Sequence, residues 1–134
     1  MATSWDIAVS PKAWEEARFG SLKSESVSFT SSAGDQNSSR AVPAGKLWLL
    51  RTLRSLNGEA GAHNLGFKLV DPDGLQYATL SMSGIFPQSI GAQGECCWFG
   101  DVPVAAGWTV RAYFLGMTGG STCNWQYTVI EVPL

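Results

Sequence analysis

The chain has 134 residues, 45% of them hydrophobic and only 15% charged, which is a length and composition suited to one globular domain with a sizeable core. Its net charge is -2 and its nine basic residues are scattered, with no basic patch interleaved with aromatics, so nucleic acid is not an expected partner. No apolar run reaches the ~18–20 residues a membrane-spanning helix needs, no basic segment followed by an apolar stretch marks a secretory signal, and synthesis in a cytosol is expected.

Residues 1–9 begin with an alternation of Trp5, Ile7 and Val9 that reads as an extended arm. A short helix is expected next: Ser10 is suited to cap it, Pro11 to open it and Gly20 to end it. Trp14, Ala17 and Arg18 would share one side, with Phe19 at the end, and a helix of about two turns needs something to dock on. These residues, 1–24, read as an arm plus helix, and 25–134 as the main domain. Within the latter, Ser26–Thr30 alternates as a first strand, and the serine-rich 31–40 reads as a polar loop. Asn37-Ser38-Ser39 fits a glycosylation acceptor pattern, which is common by chance.

Val42-Pro43-Ala44-Gly45 is a turn that launches the longest apolar run, with Leu47, Trp48, Leu49, Leu50 and Leu53 in a strand ending at Asn57-Gly58. GEAGAH then reads as a flexible loop. In the strand from Asn64 to Val70, Leu65, Phe67 and Leu69 share one face. Asp71-Pro72-Asp73-Gly74 is a tight hairpin turn, and Leu75–Met82 is expected to return antiparallel. Residues 83–94 read as a long loop carrying Ile85, Phe86 and Ile90. The strand Glu95–Phe99 precedes a second launching turn, Asp101–Gly107, and the strands Trp108–Leu115 and Thr122–Val132 complete the set. Seven strands, or eight with the arm, separated by turn signals and lacking βαβ alternation, make an all-β, antiparallel β-sandwich of jelly-roll type. The two launched strands are expected in different layers.

Candidate chemistry is sparse. The single histidine, His63, lies in a glycine-rich loop with no nucleophile elbow near it, and reads as a surface residue. Glu95 and Asp101 are the acids left over for a glycosidase-like pair, and eleven acids make such a pair unremarkable. Asp71 and Asp73 belong to a turn rather than to a calcium loop. Cys96 and Cys97 are neighbours, so on a strand they point to opposite faces. Reduced packing residues are expected, with a bridge from either one to Cys123 left open. No metal or cofactor is expected, and no catalytic residues. Of the six tryptophans, Trp108 and Trp125 lie in strand alternation and read as core, whereas Trp5 and Trp14 read as partner contacts. Sugar-binding sandwiches expose such aromatics as platforms, and this is the alternative reading.

The segments VPAGKLWLLRTL, LVDPDG and GDVPVAAGWTVRAYF together resemble the small β-sandwich structural proteins of tailed bacteriophage virions. Capsid decoration (cement) proteins come first, and tail, fibre or receptor-binding modules second. The resemblance covers residues 40–132 and implies a non-enzymatic virion protein, a homotrimer stabilising the shell through contacts with the major capsid protein. Trp5, Ile7, Trp14, Phe19, Ile85 and Phe86 are the candidate partner-binding residues, because exposed apolar groups on such proteins mark contact sites.

Overall fold

The computed structural model describes residues 20–134; the expected arm and helix, with Trp5, Ile7, Trp14 and Phe19, lie outside the described residues. Nine strands follow in order: β1 Ser21–Thr30, β2 Gly34–Ala41, β3 Lys46–Leu56, β4 His63–Val70, β5 Gln76–Thr79, β6 Gln88–Ile90, β7 Glu95–Ala105, β8 Thr109–Met117 and β9 Thr122–Pro133. One sheet has the order β1-β9-β3-β7 and the other β2-β8-β4-β5, with β6 also pairing β4. Every pairing is antiparallel. Apart from β4, β5 and β6, which share one sheet, successive strands cross between the layers, so that each sheet interleaves first and last strands, which is jelly-roll topology. The expected sandwich is therefore present.

Between the layers lies a core of Trp48, Leu50, Leu53, Leu65, Phe67, Phe114, Trp125 and Val129, all essentially without exposed surface. In β4 the expected alternation holds, Leu65, Phe67 and Leu69 facing this core. In β3 a bulge interrupts it. Leu50 pairs Val129 and Thr52 pairs Thr128, so Arg51 is an extra residue against β9. The insertion lets Leu50 and Leu53, three apart, both point inward. Trp48 stacks on Tyr127 at 5.1 Å, and its indole N–H donates to Glu131 Oε2 at 2.9 Å.

The two launching turns do lie in different layers, since β3 and β8 belong to different sheets. They are also bonded to one another: the Val42 N–H donates to the Trp108 carbonyl and the Gly107 N–H to the Val42 carbonyl. Gly45 at φ 74° supplies the left-handed residue of the first turn.

Five expectations are corrected. Residues 31–40 are not a loop: Gly34–Ala41 forms β2, an edge strand whose polar side chains are tolerated because β8 supplies the ladder. Asp101–Ala105 is strand rather than turn; β7 is also an edge, where Pro103 costs no interior ladder bond. The returning strand is shorter than Leu75–Met82, and the long loop contains β6. Strand β1 starts at Ser21, ahead of Ser26.

Candidate functional site

Four connections, 31–33, 57–62, 91–94 and 118–121, converge at one end of the sandwich around two buried polar side chains. Asn57 and Glu59 are 0% and 2% exposed. The Asn57 amide donates to the carbonyls of Gly61, Ile90 and Gly91, and its Oδ1 accepts from the Glu59 N–H at 3.1 Å. Glu59 accepts from the Ser31 hydroxyl at 2.5 Å, and from the N–H groups of Thr118 and Gly119 at 2.8 Å each. His63 Nε2 lies 2.8 Å from Glu59 Oε1. Burial alone pushes the Glu59 carboxyl up, but the Ser31, Thr118 and Gly119 hydrogen bonds, with His63, outweigh it and hold the pKa at about 2. GEAGAH is thus a pinned loop rather than a flexible one, and His63 is a nearly buried partner of Glu59 rather than a surface residue. An ionised carboxylate already engaged by four groups has no proton to give and no room for substrate; it ties loops together.

Glu95, Asp101 and Glu25 are likewise engaged. Arg54 donates to Glu95, and Arg51 lies 2.8 Å from Asp101. Glu95 and Asp101 stand six positions apart, roughly 20 Å along β7, well beyond the ~5–10 Å of a glycosidase pair. Glu25 on β1 bridges the layers, accepting from Arg40 of β2 at 2.8 Å and from the Tyr127 hydroxyl at 2.7 Å. Arg40 first, then Tyr127, hold its carboxyl below the usual range, while burial and Glu25 push the phenol up. Among the described residues, no three His, Cys, Asp or Glu are grouped so as to hold a metal ion. The three cysteines are free, Cys96 and Cys123 buried and Cys97 exposed.

Several large apolar side chains remain open to solvent. The loop 81–87 leaves the β5–β6 edge and folds over the outer face of the second sheet, where the Phe86 ring meets Tyr113 edge-on at 5.3 Å. The Lys68 ammonium sits 4.2 Å from the Phe86 ring centroid. Gly66 makes this docking possible, because a Cβ there would lie 2.4 Å from the ring. Phe86 is therefore half-buried and anchors the loop, while its neighbours Met82 and Ile85 stay 54% and 63% exposed. On the opposite sheet Phe99 is 63% exposed. Between the edges β5 and β7 the layers part into a cleft of about 330 Å³ lined by Leu69, Ala78, Val102, Val104 and Trp108. Trp48, Trp98 and Trp125 are buried, and Trp108 is half-buried in this cleft.

Of the candidate contact residues, Ile85 is thus exposed and Phe86 anchored, and Trp5, Ile7, Trp14 and Phe19 lie outside the described residues. The Glu59 cluster had no sequence signal, apart from its place four residues before His63.

No protein-family model matches the chain, and no curated protein matches its sequence. Solved structures with a similar strand arrangement include the SPBc2 prophage-derived protein YomS, at 21% identity and a TM-score of 0.47 over 79% of this chain and 95% of that one. A chain from the acid-stable capsid of Helicobacter pylori bacteriophage KHP30 matches at 12% identity and a TM-score of 0.49, over 84% of this chain and 94% of that one. The family 22 carbohydrate-binding module of Clostridium thermocellum Xyn10B matches at 13% identity and 0.43, over 84% and 85%. The likeness is one of strand arrangement, and the functional reading rests on this chain's own residues. Among the described residues no helix is long and apolar enough to cross a membrane.

Proposed function

We propose that this chain is a non-enzymatic structural protein of a bacteriophage virion, stabilising a capsid shell through protein–protein contacts. The observation that carries the reading is the loop 81–87. An aromatic anchor, Phe86, fixes it against Gly66 and Tyr113, yet Met82 and Ile85 point into solvent. An apolar side chain held rigidly outward is suited to burial against another protein, since little ordering entropy remains to be lost on contact. The fully engaged acids and histidine, which leave no free catalytic group among those weighed, support the same reading, as does the resemblance of the strand-launching motifs. The contacts would be with the major capsid protein and with further copies of this chain, most simply as a trimer, in the assembled virion.

The carbohydrate reading needs exposed aromatic platforms. Three of the four described tryptophans are buried, which leaves Trp108 in the cleft and the exposed Phe99 to serve. Light scattering of the full chain, then of Met82→Asp/Ile85→Asp, separates the readings. A mass of three times 14.3 kDa, together with co-sedimentation with capsids that the double variant loses, is expected. A monomer that binds a glycan array, and stops binding in Trp108→Ala, would overturn the virion reading in favour of sugar recognition.

A further inference from the structure

Among the described residues, most lysines and arginines stand beside a carboxylate. Lys23 pairs with Glu131, Arg40 with Glu25, Arg51 with Asp101 and Arg54 with Glu95. Glu131, whose carboxyl the Trp48 indole does most to hold down, also lies near Lys46. Lys68 and Arg111 are the exceptions. They are far apart in sequence, yet the β4–β8 ladder sets them directly opposite each other. Their strand neighbours Phe67, Leu69, Val110 and Ala112 belong to the core, so both point outward from the second sheet. Like charges placed opposite each other, about 5 Å apart at Cβ, destabilise a sheet. Only neutral groups hold the two heads in place. The Lys68 ammonium donates to Gln76 Oε1 at 2.7 Å and lies 4.2 Å from the Phe86 ring centroid. The Arg111 Nε–H donates to Ser39 Oγ at 3.0 Å, from the matching position on β2. Its Nη1 and Nη2 N–H groups have no acceptor among the described residues. Asp71, the acid nearest to Lys68 in sequence, is occupied by the Asp73 and Leu75 N–H groups of its own turn.

We propose that Lys68 and Arg111 form a carboxylate-binding site, which takes an acidic side chain of the protein that meets the loop 81–87. The inference rests on the reading of that loop as a contact surface, and it names the chemistry of the partner there. A carboxylate over the pair would offset the repulsion within it and accept parallel bonds from the guanidinium, a planar fork already oriented by Ser39. The cationic pair and the apolar loop are continuous. The Phe86 ring touches the Lys68 ammonium on one side and on the other Tyr113, two residues along β8 from Arg111 on the same face. Exposed Met82 and Ile85 follow directly. Arginine beside aromatic and apolar groups is the composition of contact hot spots. The apolar loop supplies area, and the charged pair fixes orientation and register. A phosphate polymer is a poorer fit, because its strand needs a track of free cations, and the neighbouring basic groups are held by acids.

The probe is capped hexaglutamate, titrated into the full ¹⁵N-labelled chain at low ionic strength, with capped hexaglutamine and inorganic phosphate as parallel arms. Hexaglutamate should shift the Arg111 Nε–H signal and the backbone amides of Lys68 and Arg111, and hexaglutamine should not. Lys68→Gln and Arg111→Gln should each weaken binding by about tenfold or more, as should ~0.5 M NaCl. Unchanged amide signals from Leu53 and Trp125 would show that each variant is folded. No shift with hexaglutamate, binding that survives both substitutions, or tighter binding of phosphate than of hexaglutamate would overturn the proposal. Co-sedimentation separates it from the virion reading. Capsid binding retained in full by Lys68→Gln/Arg111→Gln would overturn this inference and leave the virion reading standing. Hexaglutamate bound at the pair of a chain that does not pellet with capsids would support the inference and overturn the virion reading.

Discussion

Replacing Glu59 by glutamine tests whether a buried carboxylate closes the loop end of the sandwich. The folded pKa is about 2 against an ordinary 4.5. At 1.36 kcal/mol per unit this corresponds to about 3 kcal/mol of stability. The sign follows from linkage. The folded carboxyl is the stronger acid, so on acidification the unfolded chain takes up its proton first. The contribution is complete above pH ~4.5 and is lost as the pH falls through about 2. Glutamine keeps the size but loses the charge, and its amide nitrogen cannot accept from Ser31, Thr118 or Gly119, so at least one buried donor loses its partner. Urea unfolding of both proteins from pH 7 to pH 2 is the assay. Glu25, Glu95 and Glu131 also have lowered pKa values, so wild type alone would mix several groups, whereas the difference between the proteins isolates Glu59. Glu59→Gln should be less stable by about 3 kcal/mol at pH 7, with the gap closing toward pH 2. Equal stability at pH 7, or a gap independent of pH, would refute the argument.

Other expectations concern single residues. Gly66→Ala should expel the Phe86 ring, costing about 1–3 kcal/mol as an overpacked contact, and limited proteolysis should then cut within 81–87 faster than in wild type. One thiol, Cys97, should react with a disulfide reagent in the native protein and all three after unfolding. Burial, aided by Cys97, pushes the Cys96 thiol up to about 11 and keeps it inert. Leu53→Ala removes a side chain 1% exposed at the centre of β3 and should cost about 2–5 kcal/mol in urea unfolding; a loss under 1 kcal/mol would mean that β3 is not the middle of the core.

Where structure depends on residues close in sequence, it could be read from the chain alone. The alternation of Leu65, Phe67 and Leu69, the Asp71–Gly74 turn and the Pro43–Gly45 turn each depend on a few consecutive residues, and each appears where expected. The sandwich class followed from their number and spacing. Strand β2 could not be read this way. Asp35 to Arg40 is polar throughout, and its strand conformation comes from hydrogen bonds to β8, some seventy residues on. Pro103 inside β7 is allowed only because that strand lies at an edge, a property of strand order. The same holds for the Arg51 bulge, which is defined only against β9. At the candidate contact surface, sequence singled out Ile85 and Phe86 alike as apolar loop residues. Only the packing of Phe86 over Gly66 makes one an anchor and leaves the other in solvent. Glu59 is the extreme case. A carboxylate is normally read as surface, because burying it costs several kcal/mol unless donors surround it. Its donors come from Ser31, Thr118 and Gly119, with the His63 imidazole alongside. Local chemistry determined the strands, the turns and the class; tertiary structure decided which polar groups are buried and which apolar ones remain exposed, since burial depends on neighbours that only folding brings together.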